Sequence, residues 1–217
     1  GGPAPAERGA PVIDSPAAEE ITRLKHSLLP EASGLAVSRR TAQRFWFIND
    51  SGNAPELIAL DMPGRRFHVT TVLDVENDDW EDLESFSLGG DPWLVIADVG
   101  DNRGRRDAVR LHFLPEPDPA SEVVHVHTTL TLTYPDGARD AEAVAVDPGT
   151  QSVYVLSKRD TPPHLYRAPL PELARTGSVE GVLEALGAVT RIPGPTAREL
   201  REAPKLGPYR AQPTAMS

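Results

Sequence analysis

Three short segments of the chain place carboxylates at a fixed spacing ahead of small and apolar residues. They are Glu31-Ala-Ser-Gly-Leu-Ala-Val37, Asp82-Leu-Glu-Ser-Phe-Ser-Leu88 and Asp140-Ala-Glu-Ala-Val-Ala-Val146, and a partial fourth copy, Gln212-Pro-Thr-Ala-Met-Ser217, ends the sequence. In each, an acid or amide is followed two places later by Ser33, Glu84, Glu142 or Thr214. On an extended strand, residues two apart share one face, so Glu31, Asp82, Asp140, Glu84 and Glu142 are candidate ligands on a common surface. A second polar set lies in the turns: Asn49 and Asp50, then Asp98, Asp101 and Asn102, then Lys158. Two unit charges 4 Å apart interact by about 4 kcal/mol at an effective dielectric near 20. Converging carboxylates therefore need a cation, a shared proton or basic neighbours. Oxygen-only donors suit a hard ion, and Ca²⁺, which takes 6–8 oxygens, fits them better than a transition metal. The alternative is structural: the acids cap turn N–H groups and pair with Lys158, Arg103, Arg105 or Arg159.

Other chemistries find less support. His125-Val-His127 puts two imidazoles on one strand face, yet no third zinc ligand follows from the spacing. Cysteine is absent, which excludes a thiol nucleophile, and neither G-x-S-x-G nor H-E-x-x-H occurs. Ser33 and Ser51 have no histidine close by in the pattern. A formal charge of −10 argues against nucleic acid as a partner. No apolar run approaches the roughly 20 residues that a spanning helix needs.

The elements that position these groups read as strands. Leu35–Val37, Arg44–Ile48, Leu57–Leu60 and Phe67–Leu73 form a first set of four. Glu84–Leu88, Trp93–Ala97, Val109–Leu114 and Val123–Tyr134 form a second. The third set is Ala143–Val146, Val153–Leu156, His164–Ala168 and a segment near Val189–Ile192, with one or two helical turns expected over Ser178–Leu186. Residues 1–18, rich in Pro, Ala and Gly, read as a flexible leader of the kind that follows an export signal, with one domain over 19–217. The expectation is an all-β β-propeller of four-stranded antiparallel blades, three of them and the start of a fourth, with a β-sandwich as the alternative. Three blades do not close a ring, so a longer chain, a second chain or another copy would complete it. In that geometry the repeated acids and the turns after the second strands share one mouth of the channel. Trp80, in Asp79-Trp80, reads as an interblade packing residue and not as the signature of a WD repeat.

Together, Glu31-Ala-Ser-Gly-Leu-Ala, Asn49-Asp-Ser-Gly-Asn53, Asp79-Trp-Glu-Asp82, Ala97-Asp-Val-Gly-Asp-Asn102 and Asp140-Ala-Glu-Ala-Val144 resemble secreted bacterial propeller proteins of the actinobacterial type. More distantly the pattern is similar to six-bladed propellers of the gluconolactonase and senescence-marker group and to propeller phytases. That resemblance implies six blades, an extracytoplasmic location and channel acids that hold a divalent ion, with Glu31 matching the acid that opens the first inner strand of the lactonases. A phytase-like activity would further need basic residues, for which Lys158, Arg159 and Arg103 are available. Two functions follow as expectations. One is a scaffold that binds a small molecule, glycan or protein at the mouth. The other is a metal-dependent hydrolase of a lactone, ester or phosphate ester, with Glu84 or Glu142 as general base.

Overall fold

A computed structural model describes residues 27–62 and 64–190. The leader and the partial copy at 212–217 lie outside the described residues, as does the end of the segment expected near Val189–Ile192. The chain divides into Gly1–Pro30 and a larger unit, Glu31–Ser217. The described part of the larger unit is all-β, with fourteen strands and no α-helix. No helix among the described residues is long and apolar enough to cross a membrane.

The strands form three sheets. The first is a meander of β1 (Ala32–Val37), β2 (Arg44–Asn49), β3 (Glu56–Asp61) and β4 (Arg66–Leu73). The second runs β5 (Trp80–Leu88), β6 (Asp91–Asp98), β7 (Val109–Pro115) and β9 (Thr128–Thr133). The third comprises β10 (Ala141–Asp147), β11 (Ser152–Ser157), β12 (His164–Pro169) and β14 (Glu184–Ala188). Tight turns set the register. Gly89 and Gly90, both at positive φ, join Leu88 to its partner Asp91 in a two-residue hairpin that side chains with a Cβ would strain.

Two strands depart from the expected meanders. Val123–Tyr134 is not one strand: its first part, β8 (Val123–His125), pairs in parallel with β4 at the outer edge of the first sheet. The chain then returns through Val126 and His127 to form β9. The same detour recurs one sheet later. β13 (Gly177–Val182) pairs in parallel with β9, and only then does the chain form β14. The helical turns expected over Ser178–Leu186 are thus two edge strands on different sheets. Their hydrophobic residues look helical in sequence because one strand hands over to the next at Leu183, which is buried while its neighbours are exposed.

Packing follows the period-2 alternation of the central sheet. Leu94 and Ile96 of β6 enter a core with Trp46, Ile48, Leu57 and Val72 of the first sheet. Trp93, Val95 and Ala97 face the opposite way and join Val144, Val153, Val155 and Tyr166 of the third. Trp80 is fully buried in the first of these cores, as its expected packing role requires. A buried carboxylate ties sheets one and two: Glu116, just past β7, accepts hydrogen bonds from Trp46 Nε1 and Arg39 N, each at 2.9 Å, and from the Ser38 hydroxyl.

The inner strands β1, β5 and β10 come together at backbone distance. A Cβ on Gly34 would lie 2.6 Å from Leu83 N and 2.9 Å from Ile48 Cγ1. On the other flank the Asp82 carboxylate accepts the N–H of Val144 at 2.9 Å and that of Leu83 at 2.8 Å. Gly34→Ala should therefore lower stability by about 2 kcal/mol, read as a lower denaturation midpoint at unchanged slope; an unchanged midpoint would refute the close approach.

Candidate functional site

Each inner strand carries an irregularity at the same place. Ladder pairing skips Ser33 in β1, Glu81 in β5 and Glu142 in β10, so each of these residues is a β-bulge. A bulge re-aims a side chain at the end of a strand. The bulges reset the repeat: Glu31-x-Ser33 corresponds to Asp79-x-Glu81 and to Asp140-x-Glu142. The second copy thus begins at Asp79, three residues before the Asp82 of the sequence expectation. The error has a plain source, since Asp79-x-Glu81 and Asp82-x-Glu84 share one spacing and only the bulge tells them apart.

This shift decides which acids meet. One carboxylate oxygen from each of Asp50, Asp79 and Glu81 lies within 4.8 Å of the other two. Asp50 stands in the turn after β2, Asp79 immediately before β5, and Glu81 on the bulge itself, so two sheets contribute. Glu31, Ser33, Asp50, Glu81, Glu142 and Lys158 line a cavity of about 320 Å³ beside the cluster. Asn53 Nδ2 donates to Glu31 Oε2 at 3.2 Å and to the Asp50 carbonyl at 3.0 Å, and Asn77 Nδ2 donates to the same carbonyl at 2.9 Å. These amides fix the Asp50 turn without neutralising its charge. Asp79 packs over Gly100, where any Cβ would overlap its carboxylate, and its Oδ1 is buried without a hydrogen-bond partner.

The electrostatics match that crowding. Burial, then the charge of Asp50 and a hydrogen bond with it, raise the Asp79 carboxyl to about 6, against a weaker pull from Arg106. Burial raises Glu81 to about 7; Lys158 opposes the rise, and Asp79, Asp50 and Asp140 add to it. With no cation bound, the cluster holds protons that ordinary carboxyls release near pH 4.

The remaining predicted residues separate into structural roles. Asp82 is 2% exposed and serves as the backbone clasp between β5 and β10. Asp140 accepts Asp101 N–H at 2.9 Å and Arg159 Nε at 2.5 Å. Arg159 also reaches Asn102 Oδ1. Asp98 is buried; against that burial, His112 and Arg106 hold it below the usual carboxylate range, with Arg106 Nη1 at 2.7 Å. Asp101 Oδ2 accepts the N–H of Arg106 at 2.8 Å. The basic partner on the second turn is thus Arg106, where the sequence pointed to Arg103 or Arg105. Asn49 is buried, and its carbonyl accepts Asn77 Nδ2 at 3.0 Å. Glu84 is raised to about 7 by burial and by Asp82, with Arg39 opposing. It sits three residues along β5 from Glu81, about 10 Å on an extended chain, and does not line the cavity. Glu142 does, paired through Oε1 with Lys158. The two imidazoles of His125-Val-His127 diverge: His125 meets Asp74 at 2.7 Å and His127 meets the Leu173 carbonyl at 2.9 Å.

Asp79 and Glu81 are the residues that sequence reasoning passed over. The signal for them was present in the alignment of Asp79-x-Glu81 with Asp140-x-Glu142. No family model and no curated protein matches the sequence. Among solved structures, the chain is similar to Kuenenia stuttgartiensis hydrazine synthase at 8% identity and a TM-score of 0.41, over 72% of this chain and 37% of that one.

The raised carboxyls set the sign of a pH effect. A carboxyl whose folded pKa exceeds its unfolded value takes up protons on folding, so its charged form destabilises the fold as pH rises from about 4 to 7. In metal-free protein, Glu81→Gln should flatten that decline and stabilise the fold at pH 8 by on the order of 1 kcal/mol after solvent screening. Thermal melts of wild type and variant from pH 4 to 8 measure it, and parallel curves would count against the assignment.

Proposed function

We propose that this chain supplies blades of an extracytoplasmic bacterial β-propeller whose channel mouth binds a divalent cation, Ca²⁺ by preference, and acts as a binding scaffold. The observation that carries the reading is the convergence of Asp50, Asp79 and Glu81 from two sheets. Their oxygens are hard donors, and the Glu31 carboxylate, the Ser33 hydroxyl and solvent in the adjoining cavity can fill further positions of a 6–8-coordinate ion. Three meandering sheets packed in series, each with its first strand at a common inner edge, support blades of a propeller. Six such blades, provided by a longer chain or by a second copy, would make the ring that the sequence resemblance implies.

The scaffold reading is preferred to the hydrolase on the placement of the two general-base candidates. Glu142 is engaged by Lys158, and Glu84 stands off the cavity. Glu81, whose carboxyl lies near 7, becomes a ligand and not a base once an ion is bound, because a cation favours its ionised form. The expected ligand is an oxygen-rich small molecule, glycan or protein side chain that completes the coordination of the ion.

Thermal melts with chelator, Ca²⁺, Mg²⁺ and Zn²⁺ test the proposal. Ca²⁺ at one hundred times its dissociation constant should add about 2.7 kcal/mol of stability by mass action, and Asp79→Asn/Glu81→Gln should abolish the response. The response should also weaken below about pH 6, where protons compete for Asp79 and Glu81. If wild type responds to no ion, the cation reading fails.

A further inference from the structure

The repeat places opposite charges at equivalent positions of the first and third sheets. The N–H of Asp50 donates to the Glu31 carbonyl, and the N–H of Lys158 donates to the Asp140 carbonyl, each at 2.9 Å. Both residues follow the second strand of their sheet, and both line the same cavity. On the Asp50 side no basic side chain among the described residues is in contact with Asp50, Asp79 or Glu81. On the Lys158 side the ammonium pairs with Glu142 Oε1.

Glu142 is the informative partner. It is 7% exposed, and its second oxygen, Oε2, is buried with no hydrogen bond. The same side chain lines the cavity with Asp50 and Glu81. One oxygen of its carboxylate is thus satisfied by the Lys158 ammonium and the other is left for something else. A lysine is suited to such temporary occupancy, being a point charge on a flexible stem that can swing into water. The Lys158 side chain is 22% exposed, so it has a route outward.

We infer that Glu142 is a reserve ligand of the cation site and that Lys158 is a tethered competitor displaced when a divalent ion binds. This rests on the cation reading above. The exchange breaks one ion pair and forms a metal–carboxylate contact in its place, adding one carboxylate to those around the ion. It also confers selectivity: a monovalent ion carries no more charge than the ammonium it must replace, whereas a divalent ion gains from every carboxylate while repelling the ammonium.

The test is a calorimetric Ca²⁺ titration of the full chain at pH 7.5 for wild type, Lys158→Met, Glu142→Gln and the double variant. Lys158→Met should bind about tenfold more tightly, a difference of about 1.4 kcal/mol. Glu142→Gln should bind more weakly, and in the double variant the gain from losing Lys158 should vanish. A wild type that binds Ca²⁺ alongside a Lys158→Met affinity within twofold of it would overturn this inference and leave the cation reading intact. Absence of binding in every protein would remove the cation reading itself. If Lys158→Met does not fold, acetic anhydride labelling of wild type decides. Lys158 should acetylate several-fold faster with Ca²⁺ than with chelator, and equal rates would overturn the displacement.

Discussion

Backbone meets backbone along the line where β1, β5 and β10 pack, and most of the molecule's chemistry is a response to that contact. There is no space for a side chain between β1 and β5 at Gly34. Between β5 and β10 a single buried carboxylate, Asp82, satisfies the Val144 N–H that the approach would otherwise strand; an unpaired buried N–H costs about as much as a lost hydrogen bond. Strands so close cannot also carry long polar residues on their packed faces. The bulges at Ser33, Glu81 and Glu142 relieve the conflict by turning the third residue of each motif toward the cavity that all three line. Tight packing and an acidic rim are therefore two results of one geometry.

The rim is electrostatically uneven. Around the third sheet the acids are neutralised by residues of their own turn, Lys158 on Glu142 and Arg159 on Asp140. Around the junction of the first and second sheets, Asp50, Asp79 and Glu81 have neighbouring amides and backbone but no cation in contact among the described residues, and Arg106 is committed to Asp98. The raised carboxyls of Asp79 and Glu81 stand on this side, where burial and mutual repulsion act together. The location of the site is set by the residues that lack counter-charges more than by the number of acids, which the whole rim shares.

Much of this was legible in the sequence, and the failures are specific. The inner three strands of every sheet were readable, because Arg44–Ile48, Trp93–Ala97 and Val153–Leu156 are β-branched or aromatic runs bounded by Gly, Pro and Asp turns. Of the expected polar residues, Glu31, Asp50, Glu142 and Lys158 line one cavity. The register of the second motif was not readable, since a bulge leaves no compositional trace and Asp82-x-Glu84 mimics Asp79-x-Glu81. Nor were β8 and β13 readable: short edge strands such as Val123–His125 and Gly177–Val182 have no buried face of their own to impose an alternating pattern. Arg106 escaped because two other arginines in the same turn fit the spacing equally well.

The two parallel detours bear on how the molecule comes apart. β8 belongs by sequence to the second sheet and by hydrogen bonding to the first; β13 stands in the same relation to the third and second. The outer margins of the first two sheets are thereby stitched shut by threads spun from their successors, as shingles overlap on a roof. Peeling one sheet away must first unpick its neighbour's seam, so opening at one margin propagates inward and partial unfolding of a lone repeat is suppressed. The same stitching hides backbone that would otherwise invite strangers to pair with it. A repeat cut out at its sequence boundaries would carry one thread with no fabric and one raw hem.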